Sequence, residues 1–403
     1  MVDNENVPYI YIIVLCCNSK KWLSKCIDSL LKTDYSNYKV LLVDNASTDG
    51  SVEEIVTRFP ELSVIRNPKN YGWCKGNNIG IRFALGQGAD MIYLANADTQ
   101  YPQTDWLIRL LKIYNEHKKY RLLGPLQYKY GSDTELNGWS KYILKNGSKD
   151  VHHMWSSKLD QHGKSYEEDA LALEFVDVYF AQGSSLLIHR DVFQEIGYFD
   201  DLYFIFFDEV DFARRNLRVG NRIALVPSSR IQHYESGDND SNTKRKHKKQ
   251  FYFLRSKYFF HLSDYQMTAA TRYEVLKKWV KRDIKDAIKF KDKVGGFWRL
   301  MLVYLHVLFY LPTLILKRRN EAIMEKEIIM SKLTECINKV VGDFQMSDFS
   351  KNLKDDFGLD SVGIMELLII LEEEFNLQFE MDVDMGDLYS PEFLLQYISK
   401  YQR

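Results

Sequence analysis

The order of hydrophobic and polar positions in the N-terminal part of the chain predicts strands and helices in alternation. Continuous apolar runs, typical of strands with both faces buried, alternate with stretches whose apolar residues recur every three or four positions. A strand, helix, strand repeat joins parallel neighbours, so this half is expected to be α/β and Rossmann-like. The predicted elements are strands at 9–15, 39–43, 63–65 and 91–94, and helices at 22–31, 52–59 and 79–85.

The pattern changes further along the chain, which at 403 residues is too long for one ordinary domain. A stretch rich in lysine and arginine ends at Lys317-Arg318-Arg319, and from Glu321 onward the sequence is acidic and helical in period. Helices at 324–341, 361–375 and 391–401 predict a small all-α bundle. The predicted segments are 1–260, a basic helical extension at 261–320, and the bundle at 321–403.

Charge and cysteine usage narrow the class of protein. The 54 Lys and Arg nearly balance the 55 Asp and Glu, so no overall field favours nucleic acid as a partner. Five cysteines without zinc-type spacing fit a reducing compartment, and the first eight residues do not form a secretory signal. The sequence therefore predicts a cytoplasmic protein.

An apolar stretch at 300–316 is shorter than the ~20 residues that a membrane-spanning helix needs. It contains His306 and Pro312, and basic residues precede and follow it. Such flanks suit a helix that lies in the cytoplasmic interface of a membrane. A buried helix or a dimer contact is the alternative, and the sequence favours peripheral attachment to the inner face of the membrane.

Polar side chains follow the predicted parallel strands at the point where each strand ends. Asn18 follows the first strand, Asp44 and Asn45 follow the second, and Asn96 and Asp98 follow the fourth. Ligands of open parallel sheets collect beyond the carboxyl ends of the strands, so we expect these residues to face one cleft. No Gly-x-Gly-x-x-Gly follows the first strand, which disfavours a dinucleotide cofactor.

Several separated blocks resemble glycosyltransferase family two, in its rhamnosyltransferase-like branch. The resemblance covers roughly residues 8–260 and implies a GT-A fold, which has a Rossmann-like nucleotide-binding half and a mixed sheet. It also implies a nucleotide-sugar donor, UDP- or dTDP-linked, and a saccharide or glycolipid acceptor. The blocks are Val43-Asp44-Asn45-Ala46-Ser47-Thr48-Asp49-Gly50-Ser51, Arg66 to Gly80, and Asn96-Ala97-Asp98-Thr99.

The resemblance implies roles for the residues at the strand ends. Asp44 corresponds to the aspartate that contacts the nucleotide base, and Asn18 and Asn45 are expected beside it. The family's Asp-x-Asp triplet reads Asn96-Ala97-Asp98 here, which leaves Asp98 as its one carboxylate for Mg²⁺ or Mn²⁺, and Asn96 for a ribose hydroxyl. Two further residues have open assignments: Lys75 either reaches a phosphate or is a surface lysine, and His233 either approaches the metal or is structural.

A second family block carries three carboxylates in the run Asp208-Glu209-Val210-Asp211. The family motif is Glu-Asp-x-Asp, whose aspartate in the first pair is the general base, so Glu209 aligns with the base and Asp208 is its rival. An inverting transferase needs one carboxylate to take the proton of the acceptor hydroxyl. Asp211 is expected to be structural, with a salt bridge to Arg214 or Arg215.

The C-terminal segment contains the run Asp356 to Leu368, in which Ser361 lies between an aspartate and an apolar helical pattern. The run resembles the attachment site of acyl carrier proteins and implies 4'-phosphopantetheine on Ser361. A phosphopantetheinyl transferase and an acyl-loading or acyl-accepting enzyme are then expected partners. Helix capping by Asp360 or Ser361 is the alternative reading of the pair.

Together these observations predict an inverting, metal-dependent glycosyltransferase fused to a carrier domain that works on a bacterial polysaccharide or glycolipid. Two alternatives remain at this point. In the first, the chain is a carrier or docking protein with an inactive transferase-like domain, as Asn96 and the order Asp208-Glu209 suggest. In the second, it supports carrier-dependent acylation of a glycan.

Overall fold

Nine strands of the N-terminal part form one mixed sheet with helices packed on both faces. The structure is a computed structural model that describes residues 7–146, 170–234, 243–289, 293–375, 377–379 and 383–401. The strands are β1 Ile10–Cys16, β2 Tyr38–Asp44, β3 Ser63–Arg66, β4 Met91–Asn96, β5 Thr99–Gln100, β6 Tyr120–Lys129, β7 Val176–Asp177, β8 Ser185–His189 and β9 Arg222–His233.

The helices of the described residues fall into two groups, those that cover the sheet and those that follow it. Helices α1 to α7 are Leu23–Leu30, Ser51–Arg58, Gly72–Gly86, Trp106–Glu116, Gly138–Asn146, Arg190–Glu195 and Asp208–Arg218. Helices α8 to α13 are Thr243–Ser263, Ala269–Lys289, Lys293–Val341, Ser361–Phe375, Met385–Leu388 and Pro391–Tyr401.

The sheet order is β3-β2-β1-β4-β8-β6-β9-β5, with β7 beside β9. Strands β1 to β4 are parallel to one another, and β8 runs antiparallel between β4 and β6. The register pairs Cys16 with Asp44 and Leu15 with Asn96, so the polar residues after β1, β2 and β4 meet at one edge. The predicted α/β class with a mixed sheet is confirmed.

Helix α3 begins at Gly72, seven residues before the predicted start at Ile79. Its first turns lack apolar periodicity because the helix approaches the sheet through glycine. A Cβ atom at Gly76 would lie 2.7 Å from Leu15 Cδ1, and one at Gly80 would lie 2.8 Å from Ile13 Cγ2. Only glycine allows the backbone of α3 to pack this closely on β1. Residues 74–78 are therefore helical although they lack the apolar spacing of a buried helix.

Helix α10 runs from Lys293 to Val341 without a break at residue 320. Its start lies well before the predicted 324, and its first part packs on α8 and α9 of the preceding segment. Its last turns contribute Leu333 and Ile337 to a separate hydrophobic core with α11 and α13. One helix therefore belongs to both sides of the predicted boundary at 320/321, and the three-segment division remains a prediction.

The C-terminal bundle has its own core. Leu333 of α10, Leu367 of α11 and Leu394 of α13 are fully buried in it. Helices α11 and α13 have the predicted bounds, because both show clear helical periodicity. Helix α11 begins at the Asp360-Ser361 pair, and α13 begins at Pro391. The predicted all-α bundle is confirmed.

Candidate active site

The loops after β1 and β2 hold each other in place at the edge of the sheet. Asn18 Oδ1 accepts from the backbone N–H of Thr48 at 2.8 Å, and the Asn18 N–H donates to Ser47 Oγ at 3.0 Å. Asn18 and Ala46 both have left-handed backbones, with φ of 54° and 60°. Non-glycine residues in this region are uncommon and cluster at functional sites. The exposed Asn18 side chain and the loop after β2 thus hold each other in one conformation at this edge of the sheet.

Asp44 and Asn45 are both buried at the end of β2, with 3% and 2% exposure. The Asp44 carboxylate accepts from the Ser47 N–H at 2.8 Å and lies 3.9 Å from Arg66 Nη1. The Asn45 amide donates to the Gly72 carbonyl at 2.9 Å, and its oxygen accepts from Asn67 Nδ2 at 2.9 Å. The Asn45 side chain therefore joins the end of β2 to the start of α3 with its nitrogen and to the loop after β3 with its oxygen.

Trp73, in the first turn of α3, connects the β4 edge with helix α7. Its Nε1–H donates to Asn96 Oδ1 at 3.0 Å, which leaves the Asn96 amide nitrogen for a further acceptor. A Cβ atom at Gly183 would lie 2.7 Å from the Trp73 ring and 3.5 Å from Glu209 Cβ. Glycine is needed there for the ring to approach this closely, and Glu209 lies at ordinary contact distance from the same position. The indole thus brings Asn96 and Glu209, which lie far apart in sequence, to one place.

Asp98 and His233 meet on the same edge, where β5 pairs with β9. Asp98 Oδ1 lies 3.3 Å from His233 Nε2, and both side chains are largely buried. Burial acts to raise the pKa of Asp98, but His233 and nearby hydrogen bonds outweigh it and hold that pKa below its usual value. The structure therefore brings the two predicted metal ligands together.

Gln127 of β6 determines which nitrogen of His233 carries a proton. The Ser140 backbone N–H can only donate, so Asn137 Oδ1 accepts it at 2.7 Å, and Asn137 Nδ2 is the amide end that faces Gln127 Oε1 at 3.0 Å. Since Gln127 Oε1 is an acceptor, His233 Nδ1, also 3.0 Å away, donates to it. His233 Nε2 is left to face Asp98. A lone pair and a carboxylate this close repel each other, and a cation between them would relieve the repulsion.

Asp208 and Glu209 begin helix α7, after an aromatic pair with unusual backbone geometry. Phe206 and Phe207 have φ of 70° and 62°, which costs of order 1–3 kcal/mol for bulky residues. Burial and the neighbouring Asp208 raise the pKa of Glu209 well above its usual range. Asp208 is buried and lies 3.6 Å from Cys74 Sγ of α3. Glu209 is the more accessible of the two carboxylates.

Asp211, one turn into α7, is fully buried in a cluster of cations. It lies 2.7 Å from Arg214, 3.1 Å from Arg215 and 3.0 Å from Lys317 of α10. Burial opposes ionisation, but these cations, Lys317 foremost, lower the pKa of Asp211 below its ordinary value. The expected pairs with Arg214 and Arg215 are confirmed, and Lys317 was not foreseen. Asp211 thus holds the orientation of the helix that carries Glu209.

Lys75 and an additional acidic group complete the list of candidates on the transferase part. Lys75 is exposed on α3, with its amine 5.0 Å from the Tyr71 ring. Among the described residues, Glu116, His117 and Glu174 also bring ligand atoms within 4.8 Å of one another. None of these three was predicted, and Glu174 accepts from Lys112 at 2.6 Å. A cluster of exposed acids is common without an ion, so it does not displace Asp98 and His233.

Ser361 is the first residue of α11 and is exposed. Asp360 performs the capping, because its Oδ1 accepts from the N–H groups of Val362 and Gly363 at 3.0 and 2.8 Å. Gly363 lies close to Leu359, since a Cβ there would lie 2.5 Å from Leu359 Cδ1. The capping alternative therefore accounts for Asp360 and leaves the Ser361 hydroxyl at the surface.

Sequence reasoning missed Trp73, Gly183 and Gln127. Trp73 stands inside a block that resembles the family, but its hydrogen bond to Asn96 is a tertiary contact. Gly183 precedes β8 and could have been suspected as a site of close approach. No signal marks Gln127, which is one polar residue within a buried strand.

Comparisons with known proteins agree with this organisation. Residues 11–197 match the family model "Glycosyl transferase family 2", and residues 331–390 match "Phosphopantetheine attachment site". An N-acetylglucosaminyl-diphospho-decaprenol L-rhamnosyltransferase of Mycobacterium tuberculosis is 26% identical over 256 residues, which is 59% of this chain and 80% of the relative. A dTDP-rhamnosyl transferase of Shigella flexneri is 22% identical over 227 residues, 56% of this chain and 68% of the relative.

One solved structure overlaps a large share of the chain. It is the mannosyltransferase PcManGT from Pyrobaculum calidifontis in complex with GDP-Man and Mn²⁺, at 14% identity and a TM-score of 0.47. The overlap covers 81% of this chain and 86% of that one.

Proposed function

We propose that the chain is an inverting, metal-dependent sugar transferase with a carrier arm. The premise is that residues 11–197 belong to glycosyltransferase family 2 and residues 331–390 form a phosphopantetheine attachment domain. The donor is a nucleotide sugar, UDP- or dTDP-linked, and the acceptor is a saccharide or a lipid-linked saccharide. The names of the bacterial rhamnosyltransferase relatives support both assignments. We place the reaction in the bacterial cytoplasm.

One observation carries the proposal. The indole of Trp73 contacts Asn96 through a hydrogen bond at 3.0 Å and lies against Gly183, beside Glu209. The strand edge that is expected to bind the donor and the helix that carries the expected base therefore lie next to each other. Asn45, through the Gly72 carbonyl at 2.9 Å, joins the end of β2 to the same turn of α3.

Glu209 is proposed as the general base. Its carboxylate takes the proton of the acceptor hydroxyl while the acceptor oxygen forms a bond to the anomeric carbon. The bond from that carbon to the phosphate oxygen breaks on the opposite face, so the configuration inverts and the nucleotide diphosphate leaves with the electron pair. A raised pKa suits a base that must hold this proton, and Asp208 contributes to it as the neighbouring negative charge. Asp208 remains the rival for the role.

Asp98 and His233 fit a divalent cation of the kind that holds a diphosphate. The pair offers one carboxylate oxygen and one imidazole nitrogen 3.3 Å apart, and Gln127 keeps the nitrogen free of its own proton in the neutral ring. Mg²⁺ or Mn²⁺, when bound, neutralises the charge that develops on the leaving diphosphate. Asp44 is proposed to contact the base, with Asn18 beside it, the Asn96 amide a ribose hydroxyl, and Lys75 a phosphate.

The proposal is tested by the melting temperature of the full chain with UDP- and dTDP-sugars and Mn²⁺. A donor at 100 times its Kd is expected to add about 2.7 kcal/mol and to raise Tm by about 3 °C. Asp98→Ala should abolish the part of the shift that depends on Mn²⁺. Failure of every nucleotide sugar to shift Tm contradicts the proposed function, whereas an equal shift with and without Mn²⁺ contradicts only the metal.

Gln127→Leu is expected to weaken Mn²⁺ binding about 10–100-fold, the usual effect of removing a group that orients a metal-ligating histidine. Without the Gln127 oxygen the His233 ring no longer has a fixed tautomer, which the ¹⁵N shifts of the imidazole report in the absence of metal. Gln127→Glu is the matched control, because it keeps an acceptor at the same place. Retention of both the Nδ1–H tautomer and the wild-type Mn²⁺ affinity in Gln127→Leu would exclude this role.

A further inference from the structure

Helix α10 exposes a long apolar face for which the described part of the chain provides no cover. Phe309 is 76% exposed, Phe297 64% and Leu308 62%. Trp298, Leu302, Leu305, Phe309 and Leu316 follow one another at helical spacing along this outer face. From Phe297 to Leu316 the face is about 28 Å long at 1.5 Å per residue. It contains no Asp, Glu, Lys or Arg between residues 300 and 316.

The opposite face of the same helix is already committed to the transferase core. Leu300, Val303, Val307 and Leu314 are buried against α8 and its neighbours. A helix that is apolar all round is normally buried all round, and exposed patches of this kind mark an interaction surface. The outer face therefore has an occupant that is not the transferase itself.

The charges around the face select the occupant. Helix α9 packs against the start of α10, where a Cβ at Gly296 would lie 2.9 Å from the Ala287 carbonyl. Its sequence contains seven Lys or Arg and three Asp or Glu, and Lys277, Lys281 and Lys285 are exposed. A second copy of the chain would bring these like charges together, whereas an anionic surface would complement them.

We propose that the outer face of α10, with the basic helix α9 beside it, docks onto an anionic lipid bilayer and lies in the plane of its interface. The proposed occupant of this surface is lipid, not a second copy of the chain. It attaches the enzyme peripherally, because the inner face of α10 remains on the protein. Val303 and Leu314 of α10 are buried in the transferase core, and Lys317 lies 2.6 and 3.0 Å from Asp200 and Asp211, so a spanning helix would have to give up all of these contacts.

Flotation with vesicles tests the proposal on the full chain. The anionic vesicles are phosphatidylcholine with about 30% phosphatidylglycerol, whose negative charge attracts basic segments. They are expected to bind the protein at least tenfold more tightly than vesicles of pure phosphatidylcholine. The double variant Leu305→Glu with Phe309→Glu should reduce that binding at least tenfold, since it places two charges on the docking face. Ile108→Glu, at a 44% exposed apolar position of α4, is the matched control and should bind as the wild type does.

Three outcomes would overturn the proposal. The first is equal binding of the double variant and the wild type to anionic vesicles. The second is a wild-type dimer that the double variant converts to a monomer in sedimentation velocity, with no flotation of either, which assigns the face to a second copy. The third is retention in the bilayer after an alkaline carbonate wash, which indicates a spanning helix. The donor-induced thermal shift of the double variant is measured as well. A shift equal to that of the wild type shows that lost vesicle binding does not come from lost donor binding.

Discussion

Replacement of Glu209 by Gln is expected to lower the turnover number for sugar transfer about 10²–10⁴-fold, the usual contribution of a general base. The amide preserves the size of the side chain but cannot take the proton from the acceptor hydroxyl. Donor binding should persist, because Asp44 and Asp98, which are proposed to hold the donor, lie at the end of β2 and just after β4 and are unchanged in the variant. Initial rates at saturating donor measure the loss, and the donor-induced thermal shift of the variant checks that the cleft is intact.

The pH dependence of the wild-type rate follows from the same carboxylate. A general base works in its ionised form, and burial together with Asp208 raises the pKa of Glu209 well above its usual range. The rate is therefore expected to rise with pH and to reach its plateau only above the range in which an ordinary glutamate, with a pKa of about 4.3, has lost its proton. The residual activity of Glu209→Gln should lack this rise.

Asp208→Asn is the control that separates the two adjacent acids. It removes the negative charge beside Glu209, so the pKa of Glu209 should fall and the rising limb of the rate should move to lower pH. Transfer should continue. Loss of transfer in Asp208→Asn together with near-normal turnover in Glu209→Gln would reverse the assignment of the base.

Replacement of Ser361 by Ala is expected to abolish attachment of 4'-phosphopantetheine completely. The arm is esterified to the serine oxygen, and alanine offers no atom to form that bond. The intact mass of wild-type protein, co-expressed with a phosphopantetheinyl transferase, should rise by one arm, and that of the variant should not change. Mass spectrometry of the purified chain makes the comparison directly.

The Ser361→Ala result is interpretable because Asp360, and not Ser361, caps helix α11. The variant should therefore keep its fold, which far-UV circular dichroism and Tm would show. Ser350→Ala is the matched control, since Ser350 is also an exposed serine of the same bundle. Arm attachment to Ser361→Ala, or its loss in Ser350→Ala, would place the modification at a different residue.

The sequence predicted those elements whose burial leaves a periodic trace. Strands β1, β2 and β4 are buried along most of their length and have apolar sequences, and α11 and α13 show helical spacing with clear ends. The start of α3 left no such trace, because Gly76 and Gly80 contact the sheet through their backbone. The antiparallel insertion of β8 between β4 and β6 was also beyond reach, since pairing order depends on contacts distant in sequence.

The candidate site divides in the same way. Asp98 and His233 were chosen separately, from a strand end and from a family-like position, and the structure joins them at 3.3 Å. The orientation of His233 depends on Gln127, Asn137 and the Ser140 amide, whose roles arise only when β6, β9 and α5 are assembled. Charged pairs such as Asp211 with Lys317 likewise link elements that sequence patterns treat as independent.

The unbroken course of α10 has a consequence for the way cargo is presented. A carrier on a loose tether samples a broad volume and finds its partner by chance encounter. Here the last turns of the same rod form the first helix of the bundle, and Lys332 fastens it to the Val219 carbonyl at the end of α7 with a bond of 2.6 Å. Ser361, the proposed attachment site, is therefore held in a defined position relative to helix α7, and an enzyme that loads or unloads the arm is expected to meet carrier and transferase as one body.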